Sequence, residues 1–353
     1  MPITNTNTNT ISIITITTPS PQPPSSPIHI SSSFEGWRPR RTIKFCSWGA
    51  EEAGLIGSTE WVEENERALS TKAVAYINVD VAVFGNLTLE LAGSPLLKTP
   101  IAESVKQVND PHGGSVYDQI VKEYKTFDYG TLGSNSDYAS FYQFVGVPSL
   151  CMYYTGEELY PVYHTVHDTY KWLQGLIDPK FEYHLTTTKV ASKILLSTAD
   201  SLVLPLDVTE YGKSLDSSLK ALKKEYGAEL LKNNVSLEYI EDAIKKFRNE
   251  ATKFQAEKGK AIDEKDDIKL RALNDRMVNV EKAFITAPGL PNQPIIRHVI
   301  FAVNYASVNF PGIRDLVFKQ NKTDQDWLDI KKQASIVFKA ISEATDTLKA
   351  DAN

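Results

Sequence analysis

Four side chains in this sequence have the types and placement to do chemistry together. They are Glu51 and Glu52 in CSWGAEEAGLIGSTEW, Asp80 at the end of AYINVD, and His164 in YPVYHTVHDTY. Adjacent anions repel, and each disfavours ionisation of the other, so the Glu pair needs solvent or a cation to settle it. Carboxylates and an imidazole at the ends of parallel strands are what a divalent cation such as zinc requires, with one carboxylate left over as general base toward water. Under that reading Glu52 is a ligand and Glu51 the base. Each residue also has a plainer reading. The Glu pair fits a solvated helix start favoured by the helix dipole, Asp80 a cap of the turn after its strand, and His164 a hydrogen-bonded loop histidine.

The segments that must position these residues alternate in period. TIKFCSW reads as a strand, GSTEWVEENERAL as a helix, KAVAYINVDVAV as a strand and SPLLKTPIAESVKQV as a helix. SDYASFYQFVG then reads as a helix, VPSLCMYY as a strand and FEYHLTTTKVASKILLSTADSLVL as a long amphipathic helix. Such alternation predicts an α/β unit with a mostly parallel sheet covered by helices on both faces. Ligands of open parallel sheets bind beyond the carboxyl ends of the strands, which is where Glu51, Glu52, Asp80 and His164 fall. One crevice therefore serves all four.

After Pro205 the character changes. GKSLDSSLKALKKEY, SLEYIEDAIKKFRNEATKFQAEK, DIKLRALNDRMVNVEKAF and DQDWLDIKKQASIVFKAISEATDTLKA carry helical periodicity with charged outer faces, which predicts a helical bundle. The insert ITAPGLPNQPIIRHVIFAVNYASVNFPGIRD is long and irregular, and loops of that kind are more often functional than idle. At the other end, residues 1–33 are Thr/Asn repeats and a Pro/Ser run, a composition that predicts a disordered leader outside the fold. Its apolar piece ISIITITT is short and follows no basic residue, so it fits neither a signal peptide nor a membrane span. A net charge of −6 drawn from interspersed charges excludes the basic footprint of a nucleic-acid binder. The two cysteines, Cys46 and Cys151, lie in separate strands and read as small buried apolar residues. Triplets at Asn86, Asn234 and Asn321 permit glycosylation in a secretory compartment.

Taken in order, FCSWGAEEAGLIGSTEWVEEN, AYINVD, GNLTL, LGSNSDYASF, YPVYHTVHDTY, DPKFEYHLT, LPLDVTEY, VEKAFITAPGLPNQPIIRHVIFA and NFPGIRD resemble the glutamate carboxypeptidase II and transferrin receptor family. The resemblance runs from about Gly36 to the C-terminus. It implies part of a three-layer zinc-exopeptidase domain over 34–205 and a helical dimerisation domain over 206–353, with peptide substrates and a homodimer. A membrane-associated or secretory lineage is implied with it. Members use two zinc ions, and the carry-over makes Glu51 the general base. It gives Glu52 and His164 to one zinc and Asp80 to the other, and has Tyr163 hold the oxyanion. Without the resemblance Tyr163 is a half-buried loop aromatic. Ser134, Asn135, Ser136 and Asp137 match a substrate-side loop, LGSGND, although a capped helix start explains them too. Tyr305 matches a tyrosine that contacts the substrate's terminal carboxylate.

The departures from the family pattern set further expectations. Members supply a histidine and a metal-bridging aspartate from upstream motifs. Here the residues before SSSFEGWRPRRTI are the Thr/Asn/Pro tail, with His29 no substitute. A truncated enzyme that binds zinc poorly is one expectation, and a non-catalytic receptor-like homodimer is the alternative. The family's apical domain, membrane anchor and first strands are also absent from the pattern, so an unpaired, aggregation-prone sheet edge is expected. Cys151, Tyr153 and Glu90 stand where a glutamate-preferring enzyme carries arginines, and Asn304 stands where it carries a lysine. Glutamate is then a poor fit as the released residue.

Overall fold

The computed structural model describes residues 10–16, 38–157, 160–304 and 307–349. The sheet-bearing half runs β1 (Thr10–Ile16), β2 (Thr42–Trp48), α1 (Ile56–Glu64), α2 (Glu66–Lys72), β3 (Ala73–Val79), β4 (Thr88–Gly93), α3 (Lys98–Lys106) and α4 (Val116–Tyr124). It continues through a π-helical turn at Ser140–Phe144 to β5 (Ser149–Thr155), the short α5 (Tyr170–Trp172) and α6 (Glu182–Asp200). AVAYINV is buried along β3 from Ala73 through Asn78, as a strand covered on both faces must be.

The sheet has the order β2-β1-β3-β5-β4. Only β3 and β5 pair in parallel, while β1 with β2, β1 with β3 and β4 with β5 are antiparallel. The mostly parallel sheet inferred from alternation is therefore a mixed one. The physical reason lies in the connections, because residues 80–87 join β3 to β4 without a crossover helix, and a parallel return needs one. The directions that matter survive. β2 and β3 both oppose β1, and β5 runs with β3, so β2, β3 and β5 end at the same edge.

The leader read as disordered contains β1, which is inserted into the sheet. Its seven residues pair with Thr42–Trp48 on one side and with 73–79 on the other. TISIITI is β-branched at most positions and suits a strand, and a slot with ladders on both sides satisfies its backbone. Thr/Asn repetition conceals that local propensity. β1 thus lies inside the sheet, and β2 and β4 form its edges.

The second half is helical: α7 (Val208–Lys232), α8 (Glu238–Glu264), α9 (Asp267–Lys282), a hairpin of β6 (Phe301–Asn304) and β7 (Ser307–Asn309), α10 (Pro311–Phe318) and α11 (Asp324–Thr347). On α8, Ile240, Ala243, Ile244, Phe247, Ala251, Phe254 and Ala261 are buried at the three- and four-residue spacing of one helix face. Lys258 belongs to the same face, and its buried Nζ donates to the carbonyl oxygens of Leu204 and Leu206, both at 3.0 Å, where the chain passes from sheet to bundle. Thr323 and Asp326 form a capping box that starts α11. No helix among the described residues is long and apolar enough to cross a membrane.

Candidate active site

The Glu pair is presented by a tight turn between β2 and α1. Ala50 and Leu55 take left-handed backbone conformations, as does Gly54 at φ 112°. The Glu51 carbonyl accepts from the N–H groups of Gly54 and Leu55, at 2.9 and 2.8 Å. A Cβ on Gly57 would stand 2.5 Å from the Gly49 carbonyl oxygen, so the two limbs of the turn approach closely only because Gly57 has no side chain. Helix α1 begins at Ile56 with no acidic residue in its first turn. Glu51 and Glu52 thus lie outside the turn in which a helix dipole would favour them, which removes the helix-start explanation.

Asp80 follows β3 directly, and its Oδ2 accepts from Ser136 Oγ at 2.7 Å. Ser136 Oγ accepts in turn from Asn78 Nδ2 at 2.9 Å, which ties the 131–137 loop to the face of β3 that carries Asp80. His164, at φ 59°, brings Nε2 to 3.0 Å from Glu52 Oε2, and both side chains remain open to solvent, at 54% and 40% exposure. The Tyr163 ring stacks on that of His164, with centroids 3.8 Å apart. Phe84 packs edge-on against Tyr163, Tyr160 and Tyr153, so one aromatic residue from the β3–β4 connection steadies the loop that delivers the histidine.

The electrostatics bind these pieces into one site. Burial, followed by the charges of Asp80, Asp137 and Glu52, pushes the Glu51 carboxyl up to about 7. The Tyr163 phenol is raised by burial and then by Glu52, Asp80 and Glu51. Asp137 itself is wholly buried. Beside this cluster opens a cavity of about 470 Å³, within the usual range of small-molecule sites, lined by Asp80, Tyr163 and the loop residues Ser134, Asn135 and Ser136.

Crowded carboxylates with an accessible imidazole are the donor set a divalent cation selects, and an anion cluster that holds Glu51 protonated near neutrality is relieved by positive charge. In kind, the donors fit zinc. Among the described residues no group of three or more His, Cys, Asp or Glu gathers closely enough to hold a metal ion unaided.

The sequence-predicted residues Glu51, Glu52, Asp80, Tyr163, His164, Ser134, Asn135 and Ser136 come together here, whereas Tyr305 and His29 lie outside the described residues. Asn78 and Phe84 had not been singled out. Asn78 had a readable signal, since it is the one amide inside an apolar strand and shares the face of Asp80 two residues on. Phe84 had none.

Comparison with known proteins gives the family. Residues 28–177 match the family described as Peptidase family M28, and residues 235–349 match the Transferrin receptor-like dimerisation domain. The class is thus an M28-type α/β unit followed by a receptor-type helical unit. Aminopeptidase NAALADL1 of Mus musculus is 37% identical over 337 residues, covering 88% of this chain and 45% of that protein. The probable glutamate carboxypeptidase LAMP1 of Arabidopsis thaliana is 36% identical over 325 residues, covering 90% of this chain and 46% of that protein. The chain belongs to the glutamate carboxypeptidase II and transferrin receptor family, and it spans less than half the length of these relatives.

Proposed function

We propose that this chain carries the general base, zinc ligands and a substrate cavity of a zinc-dependent exopeptidase of the carboxypeptidase type, acting as a homodimer. The observation that carries the reading is the meeting of Glu51, Glu52, Asp80 and His164 at one sheet edge beside the cavity. Glu52 and His164 would hold one ion and Asp80 the other, with a histidine and an aspartate from beyond these residues completing the two shells. Zinc held there supplies Lewis acidity and a more acidic water.

Glu51 takes a proton from the attacking water and returns it to the leaving amine. A carboxyl beside the water site can serve both halves of that task. Tyr163 keeps its phenolic proton, because burial and three carboxylates oppose its loss, and can donate to the carbonyl oxygen as negative charge develops. Ser134, Asn135 and Ser136 orient the peptide along the cavity, and Tyr305 receives its terminal carboxylate. The relatives are named for opposite ends of a peptide, an aminopeptidase and a glutamate carboxypeptidase. Exopeptidase chemistry is what the names share.

We place the peptidase unit at 34–205 and the dimerising helices at 206–353, with support from the match of 235–349 to the receptor-like dimerisation domain. The test is a chimera in which the upstream half of a relative is joined to this chain near residue 36, loaded with zinc and offered a broad dipeptide panel. Hydrolysis that disappears in Glu51→Gln supports the reading. A chimera holding two zinc ions per protomer that cleaves nothing, yet elutes as a dimer in light-scattering chromatography, transfers the case to a non-catalytic receptor-like homodimer.

A further inference from the structure

The cavity beside Asp80 has a wall whose chemistry the reaction does not use. Away from Asp80 it is built on the paired strands β4 and β5, with the side chains of Ala92, Cys151 and Tyr153 as its surface. Phe84 and Tyr138 add aromatic faces, and among the described residues no Lys, Arg or His lines it. Beside Tyr153, on the same face of the sheet, stands Glu90, its cross-strand partner. The Tyr153 hydroxyl donates to Glu90 Oε2 at 2.8 Å, and the Tyr124 hydroxyl donates to Oε1 at 3.0 Å. Both carboxylate oxygens are therefore engaged, and the fixed charge at this end of the cavity is negative.

We infer that this cavity selects an uncharged apolar or aromatic side chain of the substrate and rejects an acidic one. It rests on the exopeptidase reading only for the identity of the bound molecule as a peptide. On this wall an entering carboxylate would give up water and meet no Lys, Arg or His among the described residues, with Glu90 beside Tyr153 opposing it. A lysine would fare little better, because both Glu90 oxygens already accept from the phenols of Tyr124 and Tyr153. A ring or branched alkyl group instead replaces water against Phe84, Tyr138 and Tyr153, where apolar and aromatic contact favour it. Two hydroxyls of the lining are already engaged, since Tyr138 donates to Asn135 and Ser136 donates to Asp80. The Cys151 thiol is pushed up to about 12 by burial, so it adds a small neutral surface to the wall.

The experiment uses the intact chain, freed of metal with a chelator, and three blocked amino acids as probes: N-acetyl-phenylalaninamide, N-acetyl-glutamate amide and N-acetyl-lysinamide. Binding is read by saturation-transfer NMR and by titration calorimetry. The phenylalanine probe is expected to bind about tenfold or more tightly than either charged probe, the factor that one unpaired charge leaves after partial hydration. Cys151→Arg places a cation on the wall and should bring the glutamate probe level with or ahead of the phenylalanine probe. Wild-type protein that binds the glutamate or lysine probe as tightly as phenylalanine, or that binds none of the three, overturns the inference. A Cys151→Arg protein that folds but gains nothing for glutamate overturns it as well. Because binding is measured without metal, a failure of hydrolysis in the chimera leaves this result standing, and the two failures are distinguishable.

Discussion

Glu51 sits in an environment that conflicts with its charge. Burial and three neighbouring carboxylates raise it to about 7, so the folded protein resists ionising it at a pH where the unfolded chain ionises it freely. The sign follows directly. Below the ordinary glutamate range both states hold the proton and nothing is lost; from there to about 7 only the unfolded state gives it up, and stability declines as pH rises until the charge is present in both. Glu51→Gln should therefore leave the melting temperature at pH 4 nearly unchanged and raise it at pH 8. In the zinc-loaded chimera it should lower kcat by about 10²–10⁴, the usual contribution of a general base. A variant that melts no higher at pH 8 than wild type would mean that the carboxylates do not crowd Glu51. Glu51, Glu52 and Asp80 stand just past strand-like runs, which suggests a site without establishing one, and His164, in a loop well beyond β5, rests on the family resemblance. Asn78 is marked in the sequence as an amide inside an apolar strand, whereas Phe84 acts through contact with Tyr163, distant in the chain, which no local pattern announces.

Among the elements, β1 is the one on which the sheet's continuity depends. Ile13 pairs with Phe45 on one side and with Ile77 on the other, so a proline there removes a donor and distorts a strand with partners on both flanks. Ile13→Pro should expose the β2 and β3 backbones, visible as a loss of amide-exchange protection in 73–79 and a fall in soluble yield. Unchanged protection would show that β3 does not rely on β1. A second element carries a readable penalty at its end. Lys282, in the last turn of α9, has its pKa lowered to about 8 by burial, with Asp275 offsetting only part of the cost. Above the ordinary lysine range neither state is charged. As pH falls toward 8 the unfolded chain alone takes up the proton, and the loss is complete below that. Lys282→Met should stabilise the fold by about 1–2 kcal/mol at pH 7, after the lost helix-end charge is counted, and the gain should vanish near pH 11 in denaturant titrations. Strands β2, β3 and β5 and the long bundle helices were legible from periodicity. Helix α4 went unread although its Ser115–Asp118 capping box was in plain view, because its apolar face spans only two turns. The mixed sheet was missed because strand–helix alternation is blind to the short β3–β4 connection.

At the scale of the molecule, sheet and bundle meet around one wholly buried carboxylate, Glu281 of α9. Its Oε1 accepts from the Tyr211 hydroxyl of α7 at 2.6 Å and from His298 Nε2 at 3.0 Å, and its Oε2 accepts from Ser94, at the end of β4. The tautomer of His298 is set by its other nitrogen. Nδ1 accepts from the backbone N–H groups of Ile300 and Phe301, so the ring hydrogen sits on Nε2 and points at Glu281. The irregular insert expected to be functional thus has at least a structural task, since His298 closes this network. From the same segment the Arg297 N–H reaches the Gln143 carbonyl at 2.9 Å, and Gln143 Nε2 reaches the Gly133 carbonyl, in the loop that lines the cavity, at 2.6 Å. Bundle, insert and substrate loop are joined through backbone groups. Truncating Glu281 leaves a phenol, an imidazole N–H and a hydroxyl buried without their acceptor, each costing about 1–3 kcal/mol. Glu281→Ala should accordingly lose on the order of 3–5 kcal/mol, the range for breaking a buried charged network. Because the stranded donors come from both halves, calorimetry should replace one cooperative transition with two. A loss below about 1 kcal/mol with a single transition retained would mean that the apolar contacts between sheet and bundle hold the halves together without this carboxylate.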